Sequence, residues 1–239
     1  MRNVWTIFKR EMRSYFVSPV AYIIGGLFLF LAGLFFVLPF FFGTRDASLR
    51  NWMGSIIVFL LFMAPMFTMR LLAEEKSSGT IELLLTSPLR DWELVTGKFL
   101  AAVGLWLSLL FVTLSYALIL KIFGDPQIIP IITGYVALIL MGSAMLAVGV
   151  LSSALSPNQL VAVVTTFVLV LVLYVAQFLS NVVGANTALG NIFQYLSLQS
   201  HMDDLMKGVV DSKDIIYYLS VIVGCLFIST RLIESRRWS

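Results

Sequence analysis

The chain's one histidine, His201, follows Ser200 and precedes two carboxylates, Asp203 and Asp204. A histidine beside carboxylates can ligate a metal ion or act as general acid and base. On a helix, however, residues two apart do not share a face, so His201 and Asp203 would point apart. A lone histidine of this kind is more often a loop residue than a ligand. The single cysteine, Cys225, lies inside an apolar run, which excludes an intrachain disulfide and a cysteine-based metal site. A phosphate-cradling G-x-x-x-x-G-K-[ST] loop is missing, because Gly97-Lys98 is followed by Phe99 and preceded at the required distance by Trp92. No catalytic, metal or cofactor-binding residue is therefore expected. If ATP and its Mg²⁺ energise this protein, another chain binds them.

The positive signal lies in residues 73–98, where Glu74, Glu75, Lys76, Glu82, Arg90, Asp91, Glu93 and Lys98 concentrate charge in an otherwise apolar chain. Gly79-Thr80 precedes a short helix expected over Ile81 to Leu85. Glu82 falls in its first turn, where the helix dipole favours an anion, and Ser87-Pro88 ends it. Glu74, Glu75, Glu82 and Arg90 surround an apolar patch of Ile81, Leu84 and Leu85, which suits a protein partner. A lipid-facing helix explains the leucines, but not the excess of acid, which anionic lipids would repel.

The elements that carry these residues follow from composition. Of 239 residues, 59% are hydrophobic and 12% charged, with a mean hydropathy of +0.96. A soluble domain carries roughly 25% charged residues, so a water-soluble globule is excluded. Disorder is excluded by the 19 phenylalanines. A spanning helix needs about 20 apolar residues, which leaves room for about six spans and little else. The chain reads as one all-α membrane domain over 1–239, with spans at 20–42, 52–72, 99–120, 131–151, 160–179 and 215–233. Residues 1–18 read as an interfacial helix, with Val4, Phe8, Met12 and Tyr15 at the acyl boundary and Lys9, Arg10 and Arg13 at the headgroups. Ser18-Pro19 marks the start of the first span, which is too long for a signal sequence and is expected to stay as an anchor. Pro65 is expected to kink span two, and glycines 25, 26, 33, 142 and 149 suit close helix packing. From Pro126 to Met202 no residue is charged, and Ser152-Ser153 with Ser156-Pro157-Asn158 mark the break between spans four and five. Residues 188–210, within an outer re-entrant region at 181–213, are too short and polar to span, and Asp211 with Asp214 reads as an acidic helix start.

Six spans put both termini on one side. Eleven Lys and Arg fall on that side and five on the other, so the positive-inside rule places both termini and the 73–98 loop in the cytoplasm. The net charge of +3 has the same origin, and no nucleic-acid partner is expected. Because the spans carry no ionisable residue except near their ends, a proton-coupled carrier and a charged-ion channel are both disfavoured.

The run from Arg70 to Leu89, RLLAEEKSSGTIELLLTSPL, resembles the cytoplasmic loop of type-two ABC transporter permeases. The likeness extends to the basic N-terminal helix, the six spans and the Ser156-Pro-Asn-Gln159 turn. The ending, from His201 through Asp211 to Arg236-Arg237-Trp238, is similar to permeases of the gliding-motility and multicopper-enzyme-maturation group. The resemblance implies a multi-pass subunit of the cell (inner) membrane that dimerises with a second permease copy or a related permease. It implies docking of a separate ABC ATPase subunit through a coupling helix between spans two and three. Glu74, Glu75, Gly79, Thr80, Glu82, Leu84, Ser87 and Pro88 would then face the ATPase, with Ser156, Asn158 and Gln159 as a second cytoplasmic contact. Residues 181–210, with His201, Asp203 and Asp211 nearby, would correspond to outer re-entrant helices. The outer loop lacks the large extracellular domain of some relatives. The uncharged spans point to export or extraction of an apolar or amphiphilic substrate. The alternatives are a non-transporting anchor for an ATPase-driven complex, such as one for gliding motility, and a membrane enzyme using His201 and Asp203.

Overall fold

A computed structural model describes residues 2–41, 49–80, 90–124, 126–184 and 187–236. Among these residues all regular structure is helical. The elements are α1 (Arg2–Val17), α2 (Pro19–Phe41), α3 (Arg50–Thr68), α4 (Ala73–Ser77), α5 (Asp91–Phe123), α6 (Ile128–Leu155), α7 (Gln159–Val183), α8 (Ala188–Leu196), α9 (Met202–Met206) and α10 (Ser212–Arg236). Six of them, α2, α3, α5, α6, α7 and α10, are long and apolar enough to cross a membrane, as expected from composition. The helix expected over Ile81–Leu85, with Glu82, Leu84, Ser87 and Pro88, lies outside the described residues.

The longest element is α5. Its 33 residues make a rod about 50 Å long, against a hydrocarbon core of about 30 Å. Residues 91–98, read from sequence as loop, are its first two turns. They are helical because the Arg90 N–H donates to Glu93 Oε2 at 3.2 Å, half of a capping box, and because Asp91 and Glu93 put negative charge at the helix's positive end. α1 runs along this extension. Asn3 donates to Glu93 at 3.0 Å, Ile7 packs on Gly97, and Phe8 and Met12 pack on Gly104. The apolar stripe that the sequence reading gave to the acyl boundary is turned onto the protein instead. Tyr15 completes it by donating to the Phe67 carbonyl of α3 at 2.7 Å. Trp5 and Phe16 stay exposed beside it. Farther along the rod, α2 continues where α1 ends, with Phe28 edge-on to Trp106 and Tyr116 donating to the Leu29 carbonyl at 3.4 Å.

α3 and α6 form the buried centre: in their most apolar stretches 67% and 72% of residues are buried, against 22% in α2 and α7. Lipid tails are as apolar as leucine, so cohesion here comes from close backbone approach rather than from expulsion of water. Two glycines of α6 provide it. A Cβ on Gly142 would stand 2.3 Å from Trp106 Nε1, and one on Gly149 would stand 2.2 Å from Thr68 Oγ1. The fully buried Trp106 finds its acceptor on the same helix, the Leu138 carbonyl at 3.1 Å. α3 passes through Pro65 and ends three residues later at Thr68.

After α7 the chain doubles back. Gly184, with φ +102°, turns it, and Ser180 of α7 donates to the Gly190 carbonyl of α8 at 2.8 Å. By Leu198 the chain has reached the Leu173 carbonyl, which accepts its N–H at 3.2 Å. That is ten residues, or about 15 Å, back along α7.

Candidate functional site

The charged residues of the 73–98 region are sorted by the short helix that carries them. In α4, Glu74 faces solvent and its carboxylate has no partner among the described residues, whereas Glu75 and Lys76 turn inward. Glu75 Oε1 lies 2.8 Å from the Lys98 ammonium of α5, which also meets Glu11 of α1 at 3.2 Å. Arg10 closes the group at 2.8 Å from Glu11 and 3.5 Å from Glu75. Lys98 is 1% exposed, so this is a buried cation between two carboxylates on two other elements. Burial pushes the Glu75 carboxyl above the usual carboxylate range, and the Lys98 charge opposes that rise.

On its other side α4 is tied to the last turn of α6. The N–H groups of Leu72 and Ala73 both donate to Ser153 Oγ, at 3.1 and 3.0 Å, and Lys76 donates to the Ala154 carbonyl. The segment ends at Gly79, whose φ of +71° is left-handed and suits a residue just past a helix end. Residues 77–80 are exposed, so the piece from Glu74 to Thr80 presents a polar outer surface held from behind by three elements.

The second predicted contact divides in the same way. Ser156 is buried and donates back to the Ser152 carbonyl at 2.8 Å. Asn158 is exposed and caps α7 by accepting from the Val161 N–H at 2.9 Å, while Gln159 is half-buried.

At the opposite end, His201 is drawn not to Asp203 but to Asp214, thirteen residues on. Its Nδ1 is 2.8 Å from Asp214 Oδ1, and Nε2 is 3.2 Å from the Tyr195 carbonyl, so both ring nitrogens are engaged. The ring stacks on Tyr217 with centroids 4.0 Å apart. Tyr217 and Tyr218 donate to the Leu196 and Leu198 carbonyls, each at 2.7 Å. The group thus satisfies the backbone of a buried turn, which would otherwise leave polar groups unpaired. Asp203 instead accepts from Gln177 of α7 at 3.4 Å. Asp211 is held below the usual carboxylate range by hydrogen bonds from the backbone and side chain of Lys213. Among the described residues no three histidine, cysteine or carboxylate groups converge on a common metal position.

Sequence reasoning missed Lys98, Glu11, Ser153 and Asp214 as members of these groups. One signal was available: Glu11 is the only acid in an otherwise basic α1.

Six apolar helices with their charge gathered at the ends define a multi-pass membrane protein. The model of the ABC-2 family transporter proteins matches residues 5–232, and the chain belongs to that family. It is a membrane permease subunit, of a family that has no nucleotide-binding domain of its own and generally works with an ABC ATPase subunit. No curated protein is similar enough to the chain to count as a match.

Proposed function

We propose that this chain forms the translocation path of an ATP-driven transporter and receives its drive through the surface from Glu74 to Thr80 and the adjoining residues 81–89. The observation that carries the reading is the sorting of α4. Glu74 is left outward with no partner for its carboxylate among the described residues, while Glu75, Lys76 and the Ser153 hydroxyl fasten the segment to α1, α5 and the end of α6. A partner pushing on that surface moves all three at once, which is what coupling to a separate engine requires. Asn158 and Gln159 are a second contact for the same partner. In this reading both termini are cytoplasmic, the membrane is the cell's inner membrane, the permease works as a dimer, and ATP with Mg²⁺ sits in the ATPase. The doubled-back region after α7 is the re-entrant closure of the exit, and the charge-free spans suit export or extraction of an apolar or amphiphilic substrate. The ending from His201 to Trp238 supports the gliding-motility or multicopper-enzyme-maturation group. Glu74→Arg and Glu82→Arg are expected to abolish permease-stimulated ATP hydrolysis by a co-purified ATPase while leaving the helices folded. Normal stimulation in both variants would refute the interface.

A further inference from the structure

A shallow, open groove lies between the start of α2 and the end of α3, lined among others by Tyr15, Ser18, Ala21, Ile24, Met66 and Arg70. Its depth in a bilayer follows from charge. No residue is charged from Ser14 to Thr44 or from Asn51 to Met69, so both spans leave the hydrocarbon where this groove sits. Its walls are mainly apolar, and among the described residues that line it the one charged group is the exposed Arg70 guanidinium. Among the described residues no carboxylate pairs with Arg70 or with Arg13, which is exposed half a turn before Tyr15. The acids of this end, Glu11 and Glu75, are turned onto Lys98 and Arg10. The Tyr15 hydroxyl is already given to the Phe67 carbonyl, whereas the Ser18 hydroxyl has no acceptor among the described residues.

A free cation and a free hydroxyl at headgroup depth, above apolar walls, match one ligand chemistry. We infer that the groove binds an anionic glycerophospholipid. Its phosphate lies on Arg70 and Ser18, its glycerol lies against Ala21, Ile24 and Met66, and its acyl chains follow the exposed face of α2 past Ile23 and Leu27. A free phosphate gains nothing from the apolar wall. A zwitterionic headgroup sets a second cation beside the one on Arg70 and is disfavoured.

The test uses the full chain, delipidated in detergent and titrated with phosphatidylglycerol, phosphatidylcholine or inorganic phosphate, and read by native mass spectrometry and thermal melting. Phosphatidylglycerol is expected to bind and raise the melting temperature, phosphatidylcholine to bind at least about fivefold more weakly, and phosphate to have no effect. Arg70→Gln is expected to weaken phosphatidylglycerol about fivefold, the usual worth of one basic residue at an anionic surface. Ala21→Phe, which fills the groove and keeps the charge, is expected to remove the bound lipid and guards against a folding defect in the first variant. Equal affinity for the two lipids, wild-type binding in Ala21→Phe, or stabilisation by phosphate alone would each overturn the inference.

Discussion

Replacing Lys98 by Met keeps the length and apolar stem of the side chain and removes only its charge. In the native protein that charge lies 2.8 Å from Glu75 and 3.2 Å from Glu11, in a side chain that is 2% exposed. Without it the two carboxylates, 15% and 16% exposed, face one another with only the half-exposed Arg10 between them. Breaking a buried ion pair by removing one partner costs about 3–5 kcal/mol. The remaining Arg10 and the partial exposure of both acids argue for the lower end, about 3 kcal/mol. For a domain of this size that is a fall in melting temperature of about 6–12 °C. The loss should also depend on pH. Burial already holds the Glu75 carboxyl above its ordinary range, and removing Lys98 raises it further. The folded variant then binds protons that the unfolded chain does not, so its deficit is full near pH 7.5 and shrinks as the pH falls towards 5.5. Melting curves at the two pH values, for wild type, Lys98→Met and Lys98→Met/Glu75→Gln, measure this, and the double variant should recover part of the loss. A deficit below about 0.5 kcal/mol, or one that grows on acidification, would refute the idea that Lys98 holds α1, α4 and α5 together.

Three other outcomes follow from the same geometry. His201→Ala leaves the Asp214 carboxylate, 1% exposed, without its hydrogen-bond partner, and should cost about 2–3 kcal/mol and speed amide exchange across residues 195–206. Gly142→Ala, whose Cβ would meet Trp106 at 2.3 Å, should destabilise by about 1–3 kcal/mol, while Gly26→Ala, with nothing within 4 Å, should be neutral or stabilising in the same melt. Ser153→Ala strands the buried N–H groups of Leu72 and Ala73, and should cost about 2 kcal/mol and increase proteolysis between residues 73 and 90.

The six spans were legible because a bilayer demands long apolar runs, and no folding detail can hide them. α1 was legible as a helix from the spacing of Val4, Phe8, Met12 and Tyr15, but its neighbour was not. The same stripe fits a headgroup layer or a protein groove, and Gly97 and Gly104 decide for the groove only once α5 is known to begin at Asp91. Glu74 and Glu75 look equivalent in the sequence, yet a helix turns consecutive residues about 100° apart, so one faces out and the other in. Lys98 looked like the edge of a span because its partners stand 87 and 23 residues away. His201 reads in the sequence as a loop residue turned away from Asp203, and its partner is out of sight there, because the chain reverses through α9 and Asp214 arrives from the next helix.

The 33-residue α5 has a mechanical consequence, because α1 and α2 lie along it one after the other. A rod about 50 Å long that tilts by about 5° sweeps its far tip through roughly 4 Å, close to the width of a methylene chain. A displacement too small to break a single contact at Lys98 therefore becomes a shift of about 3 Å at Phe123, at the far end of the rod. Leverage of this kind needs no hinge, only an unbroken helix longer than the bilayer is thick.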